Sequence, residues 1–189
     1  MSELPIPVNT TEQRTVATSR DVAARLVPSG QPITINKNTF INIRQALGGT
    51  FTVTVNGNMA RIDGTDADAI NMQPLDFHFA APEADGSVRQ SDVEHVLKTV
   101  FDPEIPVNIV DLGLVYGTRI VATDTGNKVQ IDMTLTAPTC GMGPVLISDV
   151  EYRLKLVPNV SQVEGNLVFD PPWSRDMMTE EAQLELGIF

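Results

Sequence analysis

The chain is poor in the residues that build metal cages and disulfide scaffolds. Its 189 residues include one cysteine, Cys140, and two histidines, His78 and His95. A lone cysteine closes no intramolecular disulfide, and a free thiol fits a reducing compartment, so a cytoplasmic location is expected. Basic residues are also scarce: 13 Lys and Arg face 24 Asp and Glu, for a net charge of −11. Phosphate backbones and anionic lipid surfaces are bound by basic faces, so neither nucleic acid nor a membrane surface is an expected partner. No apolar run approaches the roughly eighteen residues of a membrane-spanning helix. The opening stretch Met1 to Thr18 is polar, without the apolar centre of a secretory signal. No phosphate-binding loop is present, because Gly141-Met142-Gly143 is not followed by lysine.

What is present suffices for a packed core, since 42% of the residues are apolar. The composition divides the chain into an α+β arrangement in which a small all-β unit precedes an α-β-β-α-β-α domain. Residues 1–27 read as a flexible N-terminal arm, with two turns of helix conceivable over Arg20 to Val27 before Pro28-Ser29-Gly30. Residues 28–80 form the small β-rich domain. Pro32 to Ile35 and Phe51 to Val55 have strand patterns, Asn56-Gly57 is a hairpin turn, and Met59 to Ile62 is the returning strand. Asp63, Asp66 and Asp68 lack the spacing of a calcium loop and read as solvated acids. Residues 81–87 are a linker rich in Pro, Gly and acids.

Residues 88–189 hold most of the acidity, with 7 basic and 15 acidic side chains against 6 and 9 in the preceding residues. Ser91 to Glu94 has the form of a capping box, with Ser87 to Gln90 as an alternative start, and Val93, Val96, Leu97, Val100 and Phe101 follow at helical spacing. Pro103 ends that helix. Leu114 to Ala122 and Lys128 to Thr136 are strands joined by the turn Asp124 to Asn127. In the second strand, Val129, Ile131, Met133 and Leu135 face one way, and Gln130, Asp132, Thr134 and Thr136 the other. A loop from Ala137 to Gly143 leads to a helix that starts near Pro144, carries Leu146 and Val150 on its apolar stripe, and stops at Pro158. Val160 to Phe169 is a third strand, parallel to the second by its helical crossover, which completes a three-stranded mixed sheet. An extended Asp170 to Trp173 and a short helix over Thr179 to Leu186 form the tail.

Cys140 is the residue with the strongest chemical signal. It precedes a helix whose N-terminal partial charge favours a thiolate, the form that attacks electrophiles and binds metals. Gly141 and Gly143 allow a close backbone approach. Asp102 and Glu104 flank Pro103 and place carboxylates at the end of the first helix. The hydroxyls of Thr134 and Thr136 stand on the strand that feeds the loop. Neither histidine has the spacing of a Cys–His catalytic pair, so no catalytic residues and no enzymatic turnover are expected. One Cys and two scattered His build neither a closed zinc site nor a four-thiolate cluster, so any metal at Cys140 is shared with a second subunit, a partner or a small thiol. Trp173, Met177 and Met178 either cover the sheet or form a partner-binding patch.

Asp102-Pro103-Glu104, Val110 to Tyr116 (VDLGLVY) and Met133 to Pro144 (MTLTAPTCGMGP) together resemble the iron–sulfur cluster assembly-type domain of SufT, of PaaD-like proteins and of eukaryotic cytosolic iron–sulfur targeting factors. The tail Asp170 to Met178 (DPPWSRDMM) and the two-part layout are similar to the SufT family in particular. The resemblance implies an accessory role in iron–sulfur protein maturation, with iron–sulfur assembly proteins and client apoproteins as partners. It implies a functional patch at Asp102, Glu104, Thr136 and Cys140, with Cys140 as ligand to transient iron or a cluster. Where the family often has two threonines before the loop proline, this chain has Thr136-Ala137, so one hydroxyl carries over. The cysteine-rich C-terminal segment of PaaD proteins is absent. Within that reading a homodimer could pair two Cys140 residues; the rival readings are a metal-free adaptor that binds through the Trp173 to Met178 surface and a thiol enzyme, against which the lack of an evident base counts.

Overall fold

A computed structural model describes residues 13–138 and 141–188. The chain divides into two compact units, with the boundary between Phe77 and His78.

The first unit contains β1 (Arg14–Ala17), β2 (Val22–Leu26), β3 (Pro32–Ile35), β4 (Phe40–Leu47), β5 (Thr50–Val55) and β6 (Asn58–Asp63), in the sheet order β1-β4-β5-β6-β2-β3. The pairings Arg14 with Ile43, Ala17 with Phe40, Val22 with Ile35 and Arg25 with Pro32 keep one register throughout. β1 and β2 are therefore two halves of one bent strand, and β3 and β4 two halves of its partner. β2 then pairs with β6 and β4 with β5, so the hairpin bends round and the sheet closes on itself. Thr18 fastens the bend: its backbone N–H and carbonyl bond to Thr39 and Asn38, and its hydroxyl donates to the carbonyl of Asn36 at 2.7 Å. The Asn56-Gly57 turn has both residues at positive φ, as a two-residue hairpin requires.

Within the arm assigned to residues 1–27, Arg14–Ala17 and Val22–Leu26 are strands, and β2 takes the place of the helix expected over Arg20 to Val27. Val22 and Ala24 point into the core and Ala23 points out. Tertiary pairing on both sides overrides the helical propensity of Ala-Ala-Arg. The aspartates that follow β6 are not simply solvated. Asp63 caps a 3₁₀ stretch over Gly64–Ile70, and Arg20 forks onto both Asp66 and Asp68.

The second unit contains α1 (Gln90–Leu97), β7 (Val115–Thr123), β8 (Gly126–Met133), α2 (Gly143–Leu154), β9 (Val160–Leu167) and α3 (Glu180–Glu185). β8 lies between an antiparallel β7 and a parallel β9, which gives the expected three-stranded mixed sheet. Val129, Ile131 and Met133 of β8, Leu146 and Val150 of α2, and Val93, Val96 and Leu97 of α1 are buried core residues. At Gly165 on β9 an added Cβ would stand 2.9 Å from Ile147 of α2, so the glycine is what lets this helix lie close on the sheet.

Three local expectations shift. Neither capping box forms: Arg89 is the N-cap of α1, without a side-chain cap. α1 stops at Leu97, and Val100 is buried from the turn that follows rather than from a longer helix. β8 ends at Met133 instead of Thr136. Thr134 and Leu135 are both buried, which strict alternation forbids, so the chain leaves the sheet at that point.

Candidate functional site

The exit of β8 is built from three segments held together by main-chain hydrogen bonds. The amide of Thr134 donates to the carbonyl of Leu114 at 2.8 Å, that of Leu114 to Ile109 at 2.9 Å, and that of Ile109 to Val100 at 2.8 Å. These bonds tie the turn that carries Asp102 and Glu104 to the strand exit that carries Thr134 and Thr136.

Asp102 is 7% exposed, and its Oδ1 accepts from the amides of Glu104 at 2.8 Å and Ile105 at 3.0 Å. Its carboxylate therefore shapes its own turn, while Glu104 is exposed. Thr136 is half-buried. Thr134 is fully buried and not on an outward face with Thr136, and among the described residues its Oγ1 has no hydrogen-bond partner.

Cys140, with Thr139, lies outside the described residues. Both flanks of its loop are described. α2 begins at Gly143 with Met142 as N-cap, no side-chain cap and Pro144 in the first turn. The first intrahelical bond runs from the amide of Leu146 to the carbonyl of Met142 at 3.0 Å. The preceding amides at Gly143 and Val145 are the end groups that make a helix start electropositive. The two glycines differ in role. Gly141 is exposed with open space at its Cβ position, whereas Gly143 is buried with the side chains of Leu135 and Leu167 3.0 Å from where a Cβ would stand. Gly143 thus serves packing between α2, the loop and β9.

The tail docks on the segment between the Asp102 turn and β7. Asn108 Oδ1 accepts from the amides of Val110 and Asp111, and its Nδ2 donates to Asp111 Oδ2 at 2.7 Å. This turn presents carbonyls to the tail: Trp173 Nε1 donates to Leu112 at 2.7 Å and the amide of Thr179 donates to Asp111 at 2.9 Å. The Tyr116 hydroxyl donates to the carbonyl of Pro171 at 2.7 Å and to Met177 Sδ at 3.6 Å. Met178 is 5% exposed, so it belongs to the core and not to a partner-binding patch. Trp173 and Met177 are half-buried. Asn108, Gly113 and Tyr116 as tail-holding residues were missed from sequence. An Asn three residues before an Asp was the available signal for the turn.

Beside Tyr116 lies a groove of about 670 Å³, lined by Gly113, Val115, Tyr116, Asp132, Val168, Asp170, Pro171 and Met177. Among the described residues, no group of three or more His, Cys, Asp or Glu could hold a metal ion, and no helix is long and apolar enough to cross a membrane.

Comparison with known proteins falls on this second unit. The family model described as iron–sulfur cluster assembly protein matches residues 90–164. An Fe-S protein maturation auxiliary factor of Porphyromonas gingivalis is 46% identical over 98 residues, which are 52% of this chain and 90% of that protein. The Fe-S protein maturation auxiliary factor SufT of Staphylococcus aureus is 42% identical over 89 residues, 47% of this chain and 98% of that protein. The auxiliary factor YitW of Bacillus subtilis is 38% identical over 99 residues, 52% of this chain and 94% of that protein. Relatives that match almost end to end at such identity, on the domain whose Asp-Pro-Glu turn, β8 exit and α2 start have just been described, place this chain in the iron–sulfur cluster assembly protein family.

Proposed function

We propose that the chain is an accessory factor in iron–sulfur protein maturation, acting on assembly proteins and client apoproteins in the cytoplasm without turnover of a small substrate. The observation that carries this reading is the 46% identity, over 98 residues, to an Fe-S protein maturation auxiliary factor. In the finer form of the proposal, the Cys140 thiolate takes iron or a cluster as cargo and releases it to a client. Thiolates are soft donors suited to iron–sulfur ligation, and one thiolate from this chain leaves the remaining positions to a partner or a second subunit, so that cargo can be passed on.

The chain's own groups divide the work. The amides at the start of α2 favour the thiolate. Asp102 is a positioning residue that holds its turn through two amides. Glu104, being exposed, is the carboxylate set to meet incoming cargo, and Thr136 borders the loop. The test is anaerobic reconstitution with iron and sulfide, wild type beside Cys140→Ser, read by absorption and Mössbauer spectra. Bound iron that disappears in the variant supports the reading. Folded protein of both kinds without iron overturns the carrier form.

A second reading is favoured by the tail contacts: a metal-free adaptor that engages assembly machinery and clients through the surface around Trp173 and Met177. Under it, Cys140→Ser retains client maturation in cells, whereas changes at that surface abolish it.

A further inference from the structure

The groove beside Tyr116 has a chemistry of its own. Val115, Val168, Pro171 and Met177 give it apolar walls, and the Tyr116 ring adds an aromatic one. Its charged lining consists of Asp132 and Asp170, both negative. Asp132 Oδ1 accepts from Asn166 Nδ2 at 3.3 Å, a neutral donor that does not offset its charge, and Asp170 is exposed. The tail that forms one wall continues the same sign: from Asp170 to Glu185 it carries Asp170, Asp176, Glu180, Glu181 and Glu185 against Arg175. The wall is also fixed in place, since the Tyr116 hydroxyl is bonded to the Pro171 carbonyl at 2.7 Å. A wall held before binding spares the occupant the cost of ordering it.

We propose that this groove receives an extended segment of a partner protein in which apolar side chains alternate with lysine or arginine. The apolar side chains fill the space between Val115, Val168 and Met177, and the cations meet Asp132 and Asp170. A volume of about 670 Å³ takes two or three side chains of such a segment and not a folded domain. Which partner carries the segment, an assembly protein or a client, rests on the maturation role proposed above. The groove's selectivity rests on its lining alone.

The test uses the full chain and two fluorescein-labelled synthetic peptides, Gly-Ser-Leu-Lys-Leu-Arg-Gly-Ser and its counterpart with glutamate at both basic positions, read by fluorescence anisotropy. The basic peptide is expected to bind, to weaken as salt is raised, and to lose at least about tenfold in affinity to the double variant Asp132→Asn/Asp170→Asn, whose melting temperature serves as the folding control. Equal binding of the glutamate peptide, undiminished binding by a folded double variant, or no binding by the wild type overturns the proposal. So does self-association of the wild type that Met177→Glu abolishes, which assigns the groove to a second copy of the chain. Cluster occupancy of iron–sulfur enzymes in cells lacking the chain is measured in parallel. A fall there alongside failed peptide binding rejects the groove and leaves the maturation role standing.

Discussion

The carbonyl oxygen of Met177 lies 2.3 Å from the place where a Cβ on Gly113 would stand. Gly113 has φ +75°, so the site excludes a side chain twice, by backbone conformation and by contact. Gly113→Ala is expected to lift the tail off its cradle at a cost on the order of 2 kcal/mol or more. Thermal melting gives the loss, and limited proteolysis after Trp173 shows where it falls. An unchanged melt with a protected tail would mean that the tail does not pack there.

Arg153 is 1% exposed at the end of α2, and its Nη1 donates to the carbonyl of Thr99 at 2.7 Å and to Thr99 Oγ1 at 3.2 Å. It joins α2 to the end of α1, with the buried Asp149 one turn earlier on the same helix. Arg153→Met keeps much of the volume but removes the charge and both hydrogen bonds to Thr99. A loss of about 2–4 kcal/mol in denaturant unfolding is expected. A loss under about 1 kcal/mol would show the guanidinium to be dispensable to that joint.

Leu146 is 1% exposed on the face of α2 that covers the sheet. Leu146→Ala should cost about 2–4 kcal/mol by cavity formation, while Leu156→Ala, at an exposed position just beyond the helix, should leave the midpoint nearly unchanged. Equal midpoints for the two variants would mean the wrong face has been assigned to the core.

In the first unit, Arg20 Nε and Nη2 fork onto Asp68 at 2.7 and 2.6 Å. The hydrogen bond from Arg20 holds the Asp68 carboxyl below the usual aspartate range, and the same fork raises Arg20. A depressed carboxylate contributes its full stability above the unfolded value near 3.8, and loses it as pH falls through the lower folded value. Both groups are partly exposed, so Arg20→Ala should cost roughly 0.5–1 kcal/mol at neutral pH. The gap between variant and wild-type melting should close in acid below that range and stay open from pH 5 to 7. A gap that widens on acidification would reverse the assignment.

Much of the second unit was legible because its signals are local. β8 alternates, Pro144 and Pro158 bracket α2, and Thr179 and Gly187 bracket α3. The first unit was half legible. Asn56-Gly57 specified its hairpin, but β2 reads Val-Ala-Ala-Arg-Leu, where Arg25 is buried out of pattern and two alanines favour helix. Its strand character comes from pairing with β3 and β6, which no short window contains. The candidate site divides in the same way. Asp102 and Thr136 stand out through their motifs. The burial of Thr134 depends on where β8 leaves the sheet, and the need for glycine at position 113 comes from a carbonyl far along the chain.

The tail meets its cradle through main-chain atoms at Pro171 and Thr179 and through side chains at Trp173 and Met177. Among the described residues, Trp173 Nε1 donates to the Leu112 carbonyl, the amide of Thr179 donates to the Asp111 carbonyl, and the Tyr116 hydroxyl meets the Pro171 carbonyl and Met177 Sδ. A strap held in this way keeps its route when side chains other than those of Trp173, Met177 and Met178 are exchanged. Asp170, exposed on the groove beside Tyr116, can therefore be exchanged while Trp173 and Thr179 act as fixed buckles, which makes that position a replaceable fitting on a constant frame.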